Sequence, residues 1–230
     1  MKGIIIIRQA HQYNNMRKWI EIQKGYLSDR KFIISILFAV VLLVISLIIN
    51  YYAGLYADRK ASNSVTDIIL SNIRVFDVDG IFNYGAILFW VFMTGLFLLQ
   101  PQKIPFTLKA VATFILIRAL FISLTHIAPF PTSIATDPAS LIGKFTFGAD
   151  LFFSGHTGLP FLMALIFWNN IWLRILFIGS SIMFGAVVLM GHLHYSIDVL
   201  SAFFITYTIY HIAEFFFKKD RIIFNDKRIL

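Results

Sequence analysis

The stretch that decides the fold class runs from Phe32 to Tyr52 and reads FIISILFAVVLLVISLIINYY. It holds no charged residue, and a helix of this length, rising about 1.5 Å per residue, crosses the roughly 30 Å hydrocarbon layer of a bilayer. Further apolar runs follow, separated by short polar or charged breaks: Ile81 to Leu99, Phe106 to Ile127, Thr157 to Trp172, Ile175 to Met190 and Ile197 to Phe217. The sequence therefore predicts an all-α polytopic membrane protein with six transmembrane helices.

The composition of the whole chain agrees with this prediction. Of the 230 residues, 58% are hydrophobic and 14% are charged, and the mean hydropathy is +0.77. A soluble domain of this length needs far less apolar material to build one core. The chain contains no cysteine, which excludes disulfides, a thiol nucleophile and a thiolate metal site.

The distribution of Lys and Arg indicates the topology. With the N-terminus in the cytoplasm, fifteen of the twenty basic residues fall in cytoplasmic segments and four fall outside. This bias follows the positive-inside rule and predicts that both termini are cytoplasmic. The net charge of +8 then reflects topology and attraction to anionic lipids, so nucleic acid is not an expected partner. The Cys-free, Ile- and Phe-rich composition favours a bacterial inner or plasma membrane.

Three parts follow from this layout. Residues 1–31 form a basic, partly apolar segment expected to lie at the inner membrane interface. Residues 32–217 form the six-helix membrane domain, and residues 218–230 form a basic cytoplasmic tail. No small-residue cleavage pattern follows the first span, so we interpret that span as an anchor.

Two polar clusters interrupt the apolar runs: DLFFSGHT at residues 150–157 and GHLHYSID at residues 191–198. His156 and His194 are 38 residues apart, enough for two crossings and their turns, so both should reach the same face of the membrane. His194 and Asp198 are four residues apart and would share one helix face. The carboxylate could then hold the imidazole in one tautomer.

This arrangement suits nucleophilic catalysis on phosphorus. His194, oriented by Asp198, can attack a phosphoryl group and form a phosphohistidine, while His156 protonates the leaving oxygen and later deprotonates the acceptor. The start of the fourth span could hold phosphate oxygens with its amides. The residues expected to bind phosphate or substrate are Ser154, Gly155, Thr157, Asp150, Arg118 and Tyr195.

Arg118 is a charged residue inside the third span, which is costly unless it faces a polar cavity. Two interpretations stay open. It clamps the substrate phosphate, or it forms a buried structural ion pair or extends its charged end to the membrane surface.

Both clusters resemble signatures of the sphingomyelin synthase family, a branch of the type 2 phosphatidic acid phosphatase superfamily. The family patterns C-G-D-x-x-x-S-G-H-T and H-Y-[ST]-x-D-V appear here as FGADLFFSGHT at 147–157 and HYSIDV at 194–199. The resemblance covers residues 147–211, ending at the pair Tyr210-His211, and it implies a catalytic triad of His156, His194 and Asp198.

The departures from the family patterns are informative as well. The Cys of the first pattern is absent, Val188 stands where ordinary phosphatases of the superfamily have an Arg, and their Lys and Arg-Pro signature is missing. These departures favour the synthase-like branch.

The expected function is transfer of a phospho-headgroup from a phospholipid to a ceramide-like or diacylglycerol alcohol. A lipid phosphate phosphatase that uses the same residues is the alternative, and a non-enzymatic protein binding metal through His156, His192, His194 and Asp198 is a minor one. The expected partners are membrane lipids, with a homo-oligomer left open, and no cofactor or metal is expected. We interpret His11, His126 and His211 as structural residues. We also favour a structural role for His192 over a contact with substrate.

Overall fold

The computed structural model describes residues 21–134 and 148–225, and within these ranges it contains helices and connecting segments but no strand. Residues 21–28 are helical, and a 3-10 turn spans Pro101–Lys103. The remaining helices are α1 (Arg30–Lys60), α2 (Asp79–Leu99), α3 (Ile104–Leu124), α4 (Gly155–Ile166), α5 (Ile171–Met190), α6 (Ser196–Phe216) and α7 (Lys218–Phe224). Residues 1–20 of the predicted interfacial segment, and the last five residues of the predicted tail, lie outside the described residues.

The helices α1 to α6 lie where the apolar runs predicted them. Among the described residues, α1, α2, α3, α5 and α6 are long and apolar enough to cross a membrane. The fourth predicted span is shorter than expected, because α4 has 12 residues and extends about 18 Å. It ends at Ile166, and Asn170 then starts α5 by accepting hydrogen bonds from the amides of Trp172 and Leu173. For the described residues an all-helical fold with five helices able to cross a membrane is confirmed, whereas the sixth crossing stays a prediction.

The helix α7 packs against the C-terminal end of the short α4. Arg221 on α7 donates a hydrogen bond of 2.9 Å to the carbonyl oxygen of Ile166, the last residue of α4. Phe224 is buried against the rings of Phe106 and Phe167. The predicted tail therefore begins, at 218–224, as a helix packed into the bundle.

A buried ion pair fixes α7 to the rest of the bundle. Lys109 on α3 lies 2.6 Å from the carboxylate of Asp220 and donates to the hydroxyl of Ser35 on α1 at 2.7 Å. Charges inside a membrane domain are tolerated when they are paired in this way. This contact lies at the end of the bundle opposite the His194 segment.

The helices pack unevenly, and this leaves a cavity. α1 packs along α3, while α4 packs against both α5 and α6. The contacts of α2 are fewer and lie mainly along α5 and the 3-10 turn. A cavity of about 1050 Å³ consequently lies between α1, α2, α3 and α4, and it reaches the loops before α4 and α6.

Candidate active site

Five of the nine predicted site residues line this cavity. They are Arg118, Asp150, Gly155, His156 and His194. They form one polar end, and the rest of the wall is largely apolar and includes Phe82, Leu159, Phe184 and Leu193. The cavity thus joins a charged compartment to an apolar one.

The two sequence clusters meet directly through their backbones. The amide of Ser154 donates to the carbonyl oxygen of Asp198 at 3.1 Å. The Ser154 side chain caps α4, accepting from the amide of Thr157 at 3.4 Å and from its hydroxyl at 3.2 Å. Ser154 and Thr157 are fully buried and do not line the cavity, so they hold the start of α4 in place.

His194 and Asp198 face each other at the start of α6. His194 Nδ1 and Asp198 Oδ2 are 3.5 Å apart, and Nδ1 makes no hydrogen bond among the described residues. The carboxylate of Asp198 instead accepts a hydrogen bond of 2.9 Å from the amide of Tyr195. Asp198 therefore caps the helix and presents negative charge to the imidazole, which leaves Nε2 as the nitrogen free to act in the cavity.

His156 lies in the first turn of α4, against two aromatic rings. Its ring centroid is 4.0 Å from that of Phe82 on α2 and 6.0 Å from that of Phe184 on α5. These rings restrict the imidazole to an orientation in which it lines the cavity together with His194.

The structure shows the buried ion pair of one interpretation of Arg118, and the phosphate-clamping interpretation stays a prediction. In this pair Nη1 and Asp150 Oδ2 are 3.4 Å apart, and Arg118 also lines the cavity. Nε donates to the carbonyl oxygen of Phe153 at 2.9 Å, and Nη2 donates to that of Asp150 at 2.5 Å. A Cβ atom at Gly155 would lie 3.4 Å from Arg118 Nε, so the guanidinium packs directly beside the start of α4.

Asp150 is the acidic partner of this pair. Burial raises the pKa of Asp150 above its usual range, and the charge of Arg118 acts in the opposite direction. Its carboxylate would repel a phosphate if it stood alone. Asp150 therefore orients the guanidinium, while the guanidinium provides the positive charge that an anionic group in the cavity requires.

Tyr195 and His192 are bound elsewhere. The Tyr195 hydroxyl donates to the carbonyl oxygen of Ala128 at 2.9 Å and accepts from the amide of Val65 at 3.2 Å, so it ties two loops together. His192 has a positive φ of 53° and contacts Thr132 through Nδ1 at 2.6 Å. Neither side chain lines the cavity.

Asp67 is a residue that the sequence analysis missed. One carboxylate oxygen accepts from the amide and the hydroxyl of Ser196, at 2.7 and 2.8 Å, and the other accepts from the amides of Ile69 and Leu70. Burial opposes ionisation of this carboxyl, but the hydrogen bonds prevail and hold the pKa of Asp67 below its usual value. Asp67 thereby fixes the first residue of α6, next to His194 and Asp198. No local motif indicates this, because Asp67 and Ser196 are 129 residues apart.

Metal ligands are not grouped in this region. Within residues 21–134 and 148–225, no three His, Asp or Glu side chains are arranged to hold a metal ion. His192 in particular is directed to Thr132 rather than to His194.

Val188, which stands where ordinary phosphatases of the superfamily have an Arg, has apolar surroundings. Val188 is fully buried in an apolar cluster with Val78, Phe82 and Val187. The structure therefore places an apolar contact, rather than a cation, at this point of α5.

Comparison with known proteins gives one match. Residues 148–215 match the family model described as PAP2 superfamily C-terminal. No curated protein and no solved structure matches the chain significantly. The matched segment contains Asp150, His156, His194 and Asp198, and members of this superfamily are lipid phosphatases and phosphotransferases. The match covers less than a third of the chain, so it shows that residues 148–215 are similar to this superfamily.

Proposed function

We propose that the protein is a membrane lipid phosphotransferase that moves a phospho-headgroup from a phospholipid to the hydroxyl of a second lipid. The observation that carries the proposal is the shape of the cavity. One end presents two histidines and Arg118, and the wall continues along apolar side chains between α1 and α2. A lipid can place its phosphate at the histidines while its acyl chain stays in apolar surroundings.

The reaction has two steps. His194 Nε2 attacks phosphorus, the bond from phosphorus to the lipid oxygen breaks, and His156 gives its proton to that oxygen. In the second step His156 takes the proton of the acceptor hydroxyl, whose oxygen attacks the phosphohistidine and releases His194. Asp198 stabilises the positive charge on the imidazole, and Arg118 stabilises the negative charge on the phosphoryl oxygens.

The acceptor distinguishes this proposal from a lipid phosphatase. Water can resolve the same phosphohistidine, and the PAP2 superfamily includes phosphatases as well. The apolar wall next to the histidines favours a lipid alcohol as the acceptor. This wall can contact a second acyl chain, and it provides few hydrogen-bond partners for water. We further propose that both termini are cytoplasmic and that the cavity's polar end faces outward, on the basis of the charge distribution.

The test is a transfer assay on purified protein in detergent or vesicles. A phospholipid labelled in its headgroup is supplied with and without ceramide or diacylglycerol, and the products are separated. We expect a labelled product that depends on the added alcohol, and we expect His194→Ala to lower its rate at least a thousandfold, to near background. His211→Ala is the matched control, since this histidine also lies on α6 but its side chain is half exposed.

Two outcomes would change the proposal. Release of free phosphate or free phospho-headgroup that ignores the added alcohol would identify a hydrolase. Activity that survives His194→Ala would exclude the phosphohistidine mechanism altogether.

A further inference from the structure

The loop after α1 contains a short turn at residues 67–73 that the proposed mechanism does not use. Leu70 of this turn is buried in an apolar cluster, whereas Ile68 is 82% exposed. Val65 and Ile69, close to Ile68 in the chain, are exposed as well. Exposed apolar residues that lie together indicate a contact with lipid or with protein. We call Val65, Ile68 and Ile69 the apolar tip.

Hydrogen bonds fix the depth of this tip relative to the membrane. Asp67, the neighbour of Ile68, accepts from the amide and the hydroxyl of Ser196, the first residue of α6. α6 has 21 residues and is about 31 Å long, close to the roughly 30 Å of the hydrocarbon layer. Ser196 therefore lies where the hydrocarbon meets the lipid headgroups. Because Asp67 is bound to Ser196, the tip lies at the same level.

The tip also lies beside a helix whose surface faces lipid. Ile197 and Leu200, near the start of α6, are both more than half exposed, as apolar side chains of a membrane-spanning helix are when they contact lipid. The amide of Val65 donates to the hydroxyl of Tyr195, the residue before α6, at 3.2 Å. The hydrogen bonds of Val65 and Asp67 thus hold the tip at the start of this helix.

We propose that the apolar tip inserts into the interface of the leaflet at the His194 end of the bundle. Apolar side chains that bind a membrane surface enter about 5–10 Å into the boundary between headgroups and acyl chains. The occupant of this surface is the lipid itself, since the tip lies at the depth of that boundary and adjoins the lipid-facing residue Ile197.

Insertion of the tip would also position the histidine end of the cavity. His194 lies two residues before Ser196, and Ser196 is held by the turn that carries the tip. An inserted tip would therefore keep His194 at the level of the lipid phosphates. The insertion itself does not depend on which reaction the protein performs.

The experiment measures the depth of single spin labels in the full-length protein, reconstituted into phosphatidylcholine vesicles. The chain contains no cysteine, so Ile68→Cys provides one labelling site. Lys60→Cys, at the exposed end of α1, is the control for water, and Ile197→Cys is the control for lipid. Collisions with oxygen, which partitions into lipid, and with a water-soluble nickel chelate on both sides of the membrane give the depth of each label.

We expect the label at position 68 to lie within about 5 Å, or one helical turn, of the depth of the label at position 197. The label at position 60 should collide mainly with the nickel chelate. Val65→Cys and Ile69→Cys repeat the measurement, so that a single poorly folded variant does not decide it. Thermal unfolding of each variant identifies such a case.

Two results would overturn the inference. A label at position 68 that meets the nickel chelate as often as the label at position 60 does would show that the tip lies in water. A label shielded from both oxygen and nickel would show that protein, such as a second copy of this chain, covers the tip. Neither measurement requires turnover, so a failure of the proposed headgroup transfer would leave the result unaffected.

Discussion

At the scale of single residues, the pair of Arg118 and Asp150 contributes both to the fold and to the proposed catalytic site. The guanidinium is held by two carbonyl oxygens and one carboxylate, yet it remains part of the cavity wall. Removing one member of a buried pair is costly because the other charge stays buried. A single substitution therefore cannot separate a loss of folding from a loss of phosphate binding.

A double substitution can separate them. We expect Arg118→Gln alone to destabilise the protein by roughly 3–5 kcal/mol, because Asp150 loses its partner. Adding Asp150→Asn removes the second charge and should restore most of the unfolding temperature. Activity should stay at least a hundredfold low in the double variant, since the cation for the phosphoryl oxygens is gone. Transfer assays and thermal unfolding are measured on the same variants. Recovery of activity together with stability would show that Arg118 contributes only to stability and not to phosphate binding.

At the scale of elements, the start of α6 depends on a loop far away in sequence. Asp67 binds Ser196 through both its amide and its hydroxyl, so the loop after α1 fixes the helix that carries Asp198. α7 acts similarly at the opposite end, where Arg221 binds the last carbonyl oxygen of α4. Both contacts complete helix ends whose backbone groups have no partner within the helix.

The Asp67 contact predicts a pH dependence of stability. The pKa of Asp67 is lowered in the folded state, so its stabilisation is fully present above the ordinary value of 3.8 and is lost as the pH falls through the lower, folded value. Asp67→Asn should cost about 1–3 kcal/mol near neutral pH and flatten the acid limb of the unfolding curve. Unfolding temperatures measured from pH 7 down to about pH 3 would reveal this; an acid limb as steep as in the wild type would contradict it.

At the scale of the whole molecule, the absence of cysteine makes the proposed topology directly testable. Ser64→Cys lies in the exposed loop after α1, and Asn225→Cys lies in an exposed position after α7. If the histidine end faces outward, a membrane-impermeant maleimide added to intact cells should label position 64, and it should label position 225 only after the membrane is opened. The reverse pattern would invert the topology and place the cavity's polar end in the cytoplasm.

The sequence by itself determined that the described part of the chain is helical and apolar enough to cross a membrane, and it indicated the residues that we propose for the chemistry. Long apolar runs can be recognised locally, because a helix in lipid satisfies its own backbone hydrogen bonds and exposes apolar side chains. The 38-residue separation also predicted that the two clusters meet, and the hydrogen bond from Ser154 to Asp198 agrees. These conclusions needed only hydropathy, residue spacing and the two polar motifs.

The tertiary structure decided which partners each polar side chain contacts. The length of α4, the pairing of Arg118 with Asp150 and the hydrogen bonds from Ser196 to Asp67 all depend on the depth and rotation of one helix against another. Apolar helices of similar composition can pack at many depths and rotations with similar apolar contacts. Hydropathy therefore locates the helices along the chain, and only the packed bundle shows which polar side chains meet.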